Sequence, residues 1–174
     1  MSGHNKWQQI RHKKAITDKK RGQLFTKHLK AISIAARDNP DPEFNHKLRS
    51  AIEKAQRENV PKDNIERAIK KSSEDKNLEE IIIESYGPEK SAFIIRAITD
   101  NRNRTIAEIK KILSDNNAKM AEQGSVLWSF NRIKDGSFVP KFNQPVSDET
   151  RMKIKKNIEA LEGHDDVQEV ITNI

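Results

Sequence analysis

Residues 81–113, IIIESYGPEKSAFIIRAITDNRNRTIAEIKKIL, decide the fold. Ile81–Tyr86 and Ala92–Ile98 are β-branched runs, and Gly87-Pro88 between them is a turn signal. Thr105 and Glu108 have the spacing of a capping box, and Ile106, Ile109, Ile112 and Leu113 then recur at helical intervals. Downstream, Val126, Trp128 and Phe130 alternate as in a strand, and Asp135-Gly136 is a hairpin turn that returns the chain through Phe138–Phe142. Residues 148–162 predict a helix with Ile154, Ile158 and Leu161 on one side, and Val167–Thr172 predicts a last strand. From Ala92 the order is strand, helix, strand, strand, helix, strand, the split β-α-β pattern of a ferredoxin-like domain, with 81–86 as an extra hairpin arm.

Upstream the period is helical. Residues 18–37 carry Leu24, Phe25, His28, Leu29, Ile32 and Ala36 on one face, with Lys20, Lys27, Lys30 and Arg37 opposite. Asp41 and Pro42 have the chemistry of an N-cap and a first helical residue, opening a second helix with Phe44, Leu48, Ile52 and Ala55 as its buried stripe. A third runs from about Pro61 to Lys71 with Ile65, Ala68 and Ile69 inward. Three amphipathic helices with short connections make a small bundle. The polar, acidic SSEDKN at 72–77 places a boundary there, giving a helical domain at 1–74 and an α+β domain at 78–174. Residues 1–16 lack a clear helical period and read as a mobile basic arm.

The charge is lopsided. Residues 1–37 hold ten Lys/Arg and one acid, Asp18, for a net of +9; the remaining residues net −2, which leaves the chain at +7. A surface that concentrates charge in this way suits a polyanion, because each phosphate neutralised releases condensed counterions. Lys6, Arg11, Lys13, Lys14, Lys19, Lys20 and Arg21 lie close together with Trp7 and His12 among them. Lys27 and Lys30 continue the same helical side. Trp7 has two readings, stacking on a base or packing against the bundle.

With 34% apolar and 34% charged residues, the chain is lean in core-forming material. It has no cysteine, which excludes disulfides, Cys-based zinc sites and a Cys nucleophile. No apolar stretch approaches the ~20 residues of a membrane span. The N-terminus lacks the apolar region of a secretory signal. A transit peptide would also be basic, but the first 14 residues hold one Ser, one Arg and no amphipathic period, so a cytoplasmic location is expected.

His4, His12, His28, His46 and His164 show no HExxH spacing and no close carboxylate–histidine cluster, so no metal is expected. No nucleophile–base ordering, phosphate-cradling glycine loop or clustered carboxylates appear, so neither catalytic residues nor a cofactor nor a small-molecule substrate is expected. Glu79/Glu80 and Asp165/Asp166 read as solvated edges. The Thr99–Thr105 loop has two readings. Arg102 and Arg104 form a second anion site beside the helix N-terminus, or they pair with Asp100 in a capped turn.

Gly3-His-Asn-Lys-Trp7, Lys20-Arg-Gly22 with Phe25-Thr-Lys27, Val60–Lys71, Thr99–Thr105, Gly124-Ser-Val-Leu-Trp-Ser-Phe130 and Asp165–Val170 stand in the order seen in the YebC/PmpR family, which this chain resembles. The family includes the mitochondrial translational activator of cytochrome c oxidase. The resemblance implies a three-helix domain followed by α/β domains, no enzymatic activity, and a nucleic-acid partner bound through the basic N-terminal segment. Members act as ribosome-associated translation factors that relieve stalling at proline-rich stretches, or as DNA-binding transcriptional regulators. Members are longer, with a further small domain inserted after the Gly-Ser-Val-x-Trp-x-Phe segment. Here that segment runs straight into the Asp135-Gly136 turn, so the inserted domain is expected to be absent between 130 and 140.

The expected function is therefore non-enzymatic regulation of gene expression, on ribosomal or transfer RNA at the ribosome. The alternatives are duplex DNA in transcription, and a protein-interaction adaptor whose charge only aids solubility. A monomer is favoured, and no membrane partner is expected.

Overall fold

The computed structural model describes residues 3–74, 77–133 and 136–174, with side chains from residue 14 onward. The chain divides into two compact units, Met1–Ser73 and Glu74–Ile174.

The first unit holds three helices: α1 (Gly3–Ala36), α2 (His46–Arg57) and α3 (Lys62–Lys71). Their core joins Ile32 and Ala36 of α1, Leu48 and Ala55 of α2, Val60, and Ile65 and Ala68 of α3, with Phe25 and Leu29 packed against it. The buried Ser33 hydroxyl donates to the Ala68 carbonyl at 3.2 Å, fixing α1 against α3. Contrary to the expected irregular arm, α1 is continuous over 34 residues, a rod about 50 Å long. The physical reason is propensity. Residues 5–21 contain no proline and are rich in Lys, Arg and Gln, all good helix formers. A missing apolar stripe does not say that a segment is unwound.

The start of α2 also differs. Asp41 and Asn39 side chains accept from Glu43 and Asp41 N–H in two local turns. The N-cap is Asn45, whose Oδ1 accepts from Leu48 N–H at 3.0 Å. Its Nδ2 donates to the Ala35 and Asn39 carbonyls at 2.6 Å, so one amide ties the end of α1 to the start of α2. Phe44, expected in the buried stripe, therefore precedes the helix and is 78% exposed.

The second unit is α+β. Its elements are β1 (Glu79–Tyr86), β2 (Ala92–Thr99), α4 (Arg102–Asp115), β3 (Lys119–Met120), β4 (Phe130–Arg132), β5 (Phe138–Pro140), α5 (Asp148–Glu162) and β6 (Val167–Thr172). Four strands form one antiparallel sheet in the order β3-β1-β2-β6. The class is the expected one, but the strand roles are not. β1, expected as an added arm, is central, while β4 and β5 form a separate two-stranded sheet. One face of the main sheet presents Ile81, Ile83, Ile95, Ala97 and Val167 to Ile109 and Leu113 of α4 and Leu161 of α5. The other presents Ala92 and Ile94 to Val126 and Phe130, with Phe138 and Ile171 alongside. β2 is thus covered on both sides, which is why AFIIRAIT reads as an almost unbroken apolar run.

The residues at 126–129 do not form the expected strand. Glu84, only 3% exposed, accepts from the N–H groups of Gly124, Val126 and Leu127. Those bonds curl the segment into a turn, and pairing begins at Phe130, opposite Pro140. The hairpin expected there is formed, closed by Ile133 N–H on the Ser137 carbonyl at 2.9 Å, with Gly136 at φ +86°. Its residues Lys134 and Asp135 lie outside the described residues.

The β1–β2 turn is tight. A β-carbon at Gly87 would meet the Phe93 ring at 2.3 Å and Ser91 Oγ at 2.6 Å, and Phe93 is fully buried. Beyond it, Glu89 accepts from Ser147 N–H, Ser147 hydroxyl and Thr150 hydroxyl, placing a carboxylate at the N-terminus of α5. The Ser147 hydroxyl, then Ser147 N–H and Thr150, hold the Glu89 carboxyl below its ordinary 4.5. Gly87→Ala is expected to cost about 1–3 kcal/mol in chemical denaturation, because a buried ring must shift. A depressed carboxyl contributes stability above its ordinary value and loses it as pH falls through the folded value. Glu89→Gln is therefore expected to lower the melting temperature near neutral pH, with the gap to the parent chain closing in acid below 4.5. A gap independent of pH would assign Glu89 a purely steric role.

Candidate nucleic-acid interface

The cationic residues singled out in the sequence lie on α1. Every residue from Lys14 to Gly22 is exposed, and none belongs to the bundle core, whose first member is Phe25. Lys14, Lys19, Lys20 and Arg21 thus stand on a stretch of helix solvated around its whole circumference. At 100° per residue, Lys20, Lys27 and Lys30 fall on the side opposite Phe25, Leu29, Ile32 and Ala36. Lys27 and Lys30 are half-buried and engage neighbours. Arg21 folds over Phe25, its guanidinium carbon 5.2 Å from the ring centroid. Lys6, Trp7, Arg11, His12 and Lys13 occupy the same helix, and their side chains lie outside those described. Between residues 14 and 30 the helix carries Lys14, Lys19, Lys20, Arg21, Lys27 and Lys30 against one acid, Asp18.

His28 sits at the rim of the apolar face, half-buried as expected. Burial lowers its pKa, against a raising influence of Glu58 and a further lowering by Lys54. It is a packing residue of the bundle.

The second cationic candidate resolves differently. Asn101, not Thr105, caps α4, its Oδ1 accepting from Arg104 N–H at 3.1 Å. Thr105 is buried, its hydroxyl 2.6 Å from Asp166 Oδ2 and 2.7 Å from Thr99 Oγ1. Arg104 Nη2 lies 2.9 Å from both Asp100 and Asp166, and its Nε 3.9 Å from Glu108. Arg102 pairs with Glu79 at 3.3 Å. Two arginines thus face four carboxylates, an arrangement that repels an incoming anion. Asp166, read in the sequence as a solvated edge, is 2% exposed.

No spacing in the sequence announces a carboxylate–histidine cluster, yet Glu108, His164 and Asp166 bring ligand-type atoms within 4.8 Å of one another. His164 Nδ1 accepts from Asp166 N–H at 3.1 Å, so Nε2 carries the proton facing Glu108 Oε2 at 2.8 Å. The Arg104 guanidinium already sits on Asp166 and beside Glu108. A divalent cation would have to displace it, so the cluster is a salt-bridged latch between α4 and the segment before β6. Its partners are 56 and 62 residues apart in the chain, beyond the reach of any local pattern.

Sequence reasoning also missed a group of exposed aromatics. Trp128, Phe142 and Tyr86 are 61%, 44% and 40% exposed. Read as alternating with Val126 and Phe130, Trp128 has the pattern of an inward residue. The turn set by Glu84 directs it outward instead.

Arg104→Met is expected to lower the melting temperature, since it strips the buried Asp166 of its charge partner, and to leave nucleic-acid affinity unchanged. Lost binding with intact stability would restore Arg104 as an anion contact.

Among the described residues no helix is long and apolar enough to cross a membrane. Residues 5–75 match the TACO1/YebC protein N-terminal domain, and residues 78–134 match the TACO1/YebC second and third domain. A probable transcriptional regulatory protein of Desulfosudis oleivorans is 45% identical over 178 residues, covering 100% of this chain and 72% of the relative. Another, from Trichlorobacter lovleyi, is 52% identical over 136 residues, covering 76% of this chain and 55% of the relative. The chain thus spans little more than half the length of several curated relatives. A crystal structure of a conserved hypothetical protein from Aquifex aeolicus superposes with a TM-score of 0.81 at 29% identity, covering 88% of this chain and 89% of that one. Two consecutive domain matches and relatives of this identity establish that the chain belongs to the TACO1/YebC family of regulatory proteins.

Proposed function

We propose that the protein is a non-enzymatic, cytoplasmic regulator of gene expression that grips nucleic acid through α1 and acts in translation, on ribosomal or transfer RNA. The observation that carries this reading is the solvated, cation-rich helix at Lys14–Arg21, prolonged by Lys27 and Lys30. Lysine ammonium groups are point charges suited to phosphates, and they carry little information about base edges. A DNA-reading recognition helix is braced by a second helix that crosses the backbone and fixes its register in the major groove. Residues 14–22 contribute nothing to the bundle core and are not braced in that way. Structured RNA is recognised largely by shape and backbone, which a phosphate-gripping helix serves.

Transcriptional regulation on duplex DNA is the second reading, favoured by the names of the relatives. The family's inserted domain, implied by the resemblance, would fall at the β4–β5 hairpin. We read that tight closure as its replacement in this chain, with any activity seated in the insert lost.

The test is co-sedimentation with ribosomes across a salt series, set against binding to random duplex DNA. Retention on ribosomes at salt that strips the duplex is expected, and the reverse order would favour transcription. Replacing Lys13, Lys14, Lys19 and Lys20 together with Gln is expected to weaken binding. It should also flatten the slope of log K against log salt by about 0.9 for each duplex phosphate no longer neutralised. The melting temperature should hardly move, because exposed charges contribute little to stability. Binding that ignores both salt and these substitutions would point to a protein-interaction adaptor.

A further inference from the structure

Three segments of the second unit converge on one open cleft of about 420 Å³. The end of β1 supplies Tyr86, the turn before β4 supplies Trp128, and the residues after β5 supply Phe142. The Trp128 and Phe142 ring centroids are 5.8 Å apart with planes inclined at 39°. Large aromatics this exposed have no role in the core of the unit, whose buried clusters omit all three. Two of them are fixed by hydrogen bonds. Tyr86 hydroxyl and Trp128 Nε1 both donate to the Ser125 carbonyl, at 2.7 and 2.8 Å. The Glu84 carboxylate anchors the same turn through three backbone N–H groups.

The formal charge on the described lining of the cleft is positive. Lys90 lines it, and among the described residues no carboxylate does. Lys119 stands opposite Tyr86 in the β1–β3 register. Lys141 Nζ donates to the Trp128 carbonyl at 2.6 Å, which uses one of three ammonium donors. Ring faces flanked by cations are the chemistry of single-stranded nucleic-acid binding, in which bases stack and phosphates meet lysines. Aromatic grooves that take proline-rich peptides offer Trp and Tyr donors to peptide carbonyls. Here both donors are already bonded to Ser125, leaving faces and charge. We propose that the Tyr86–Trp128–Phe142 cleft is a stacking platform for the bases of single-stranded nucleic acid, with Lys90, Lys119 and Lys141 holding its phosphates.

The test uses the full chain and two labelled probes, a deoxyadenylate decamer and an abasic decamer of equal charge. The parent chain is expected to prefer the adenylate probe by about tenfold, the scale of one stacked base. Trp128→Ala should abolish that preference, and Trp128→Phe should keep most of it. Since Trp128 is mainly exposed, a melting curve close to that of the parent chain is expected for both variants. Equal affinity for the two probes in the parent chain overturns the proposal. So does a preference that survives Trp128→Ala, or a polyproline decapeptide that displaces the adenylate probe. Substituting the α1 lysines should leave the preference for the adenylate probe in place. Loss of binding on the helix therefore remains distinguishable from loss of stacking on the cleft.

Discussion

A buried carboxylate held by backbone N–H groups organises the second unit. Glu84 lies on the face of β1 turned away from α4 and α5, and N–H groups from 124–127 satisfy it. Burying a carboxylate costs several kcal/mol unless its oxygens are fully hydrogen-bonded, so the strand and the turn stabilise each other. Three consequences follow from the one contact. The 126–129 segment turns instead of extending, Val126 is pressed onto Ala92 and Ile94, and Phe130 begins a hairpin that roofs the same end of the sheet. Trp128, between two inward residues, is left outside.

The first unit rests on a different division of labour within a single helix. From Phe25 onward α1 is an ordinary amphipathic helix, held by the packing of Ile32 and Ala36 against Leu48, Ala55 and Ile65. Between Lys14 and Gly22 the described residues have no place in that core, and the stretch before Gly22 relies on the helix propensity of its lysines, arginines and glutamines. The same composition that keeps that stretch helical also makes it cationic. Charge density and helicity are thus one property of the sequence rather than two, and a phosphate backbone laid along the rod would relieve the mutual repulsion of its lysines.

What was legible in the sequence was whatever is encoded locally. The β1–β2 hairpin follows from β-branched runs around Gly87-Pro88. α5 follows from the apolar period of Ile154, Ile158 and Leu161, and the structure adds Ser147 as its cap, Oγ accepting from Thr150 N–H at 3.2 Å. α3 starts and stops where Pro61 and the polar run after Lys71 put it. Three other features were hidden because long-range contacts decide them. Asn45 displaces Asp41 as a cap since only its amide also reaches the Ala35 and Asn39 carbonyls. Arg104 serves Asp166 across 62 residues, so a loop that reads as anion-binding is neutralised from within. Trp128 keeps the alternation of a strand while lying in a turn, because alternation reports spacing and not backbone state.

Charge pairing in the second unit explains why the whole-chain imbalance points at α1. Arg96 bridges Glu80 and Glu169 across three strands, at 2.6 and 3.2 Å. Arg102 and Arg104 are likewise matched to acids. Such cross-strand pairs set register and cancel field at a distance, so this part of the surface contributes little long-range attraction. The cleft at Trp128 departs from that neutrality, carrying lysine without acids among the described residues of its lining. The two surfaces therefore differ in kind. The α1 surface offers charge that acts over a Debye length and is indifferent to the bases. The cleft offers ring faces that act only on contact and require a base out of its helix. On the reading we propose, a ligand suited to both is a polyanion with unpaired nucleotides, which structured RNA supplies in its loops and uninterrupted duplex DNA does not.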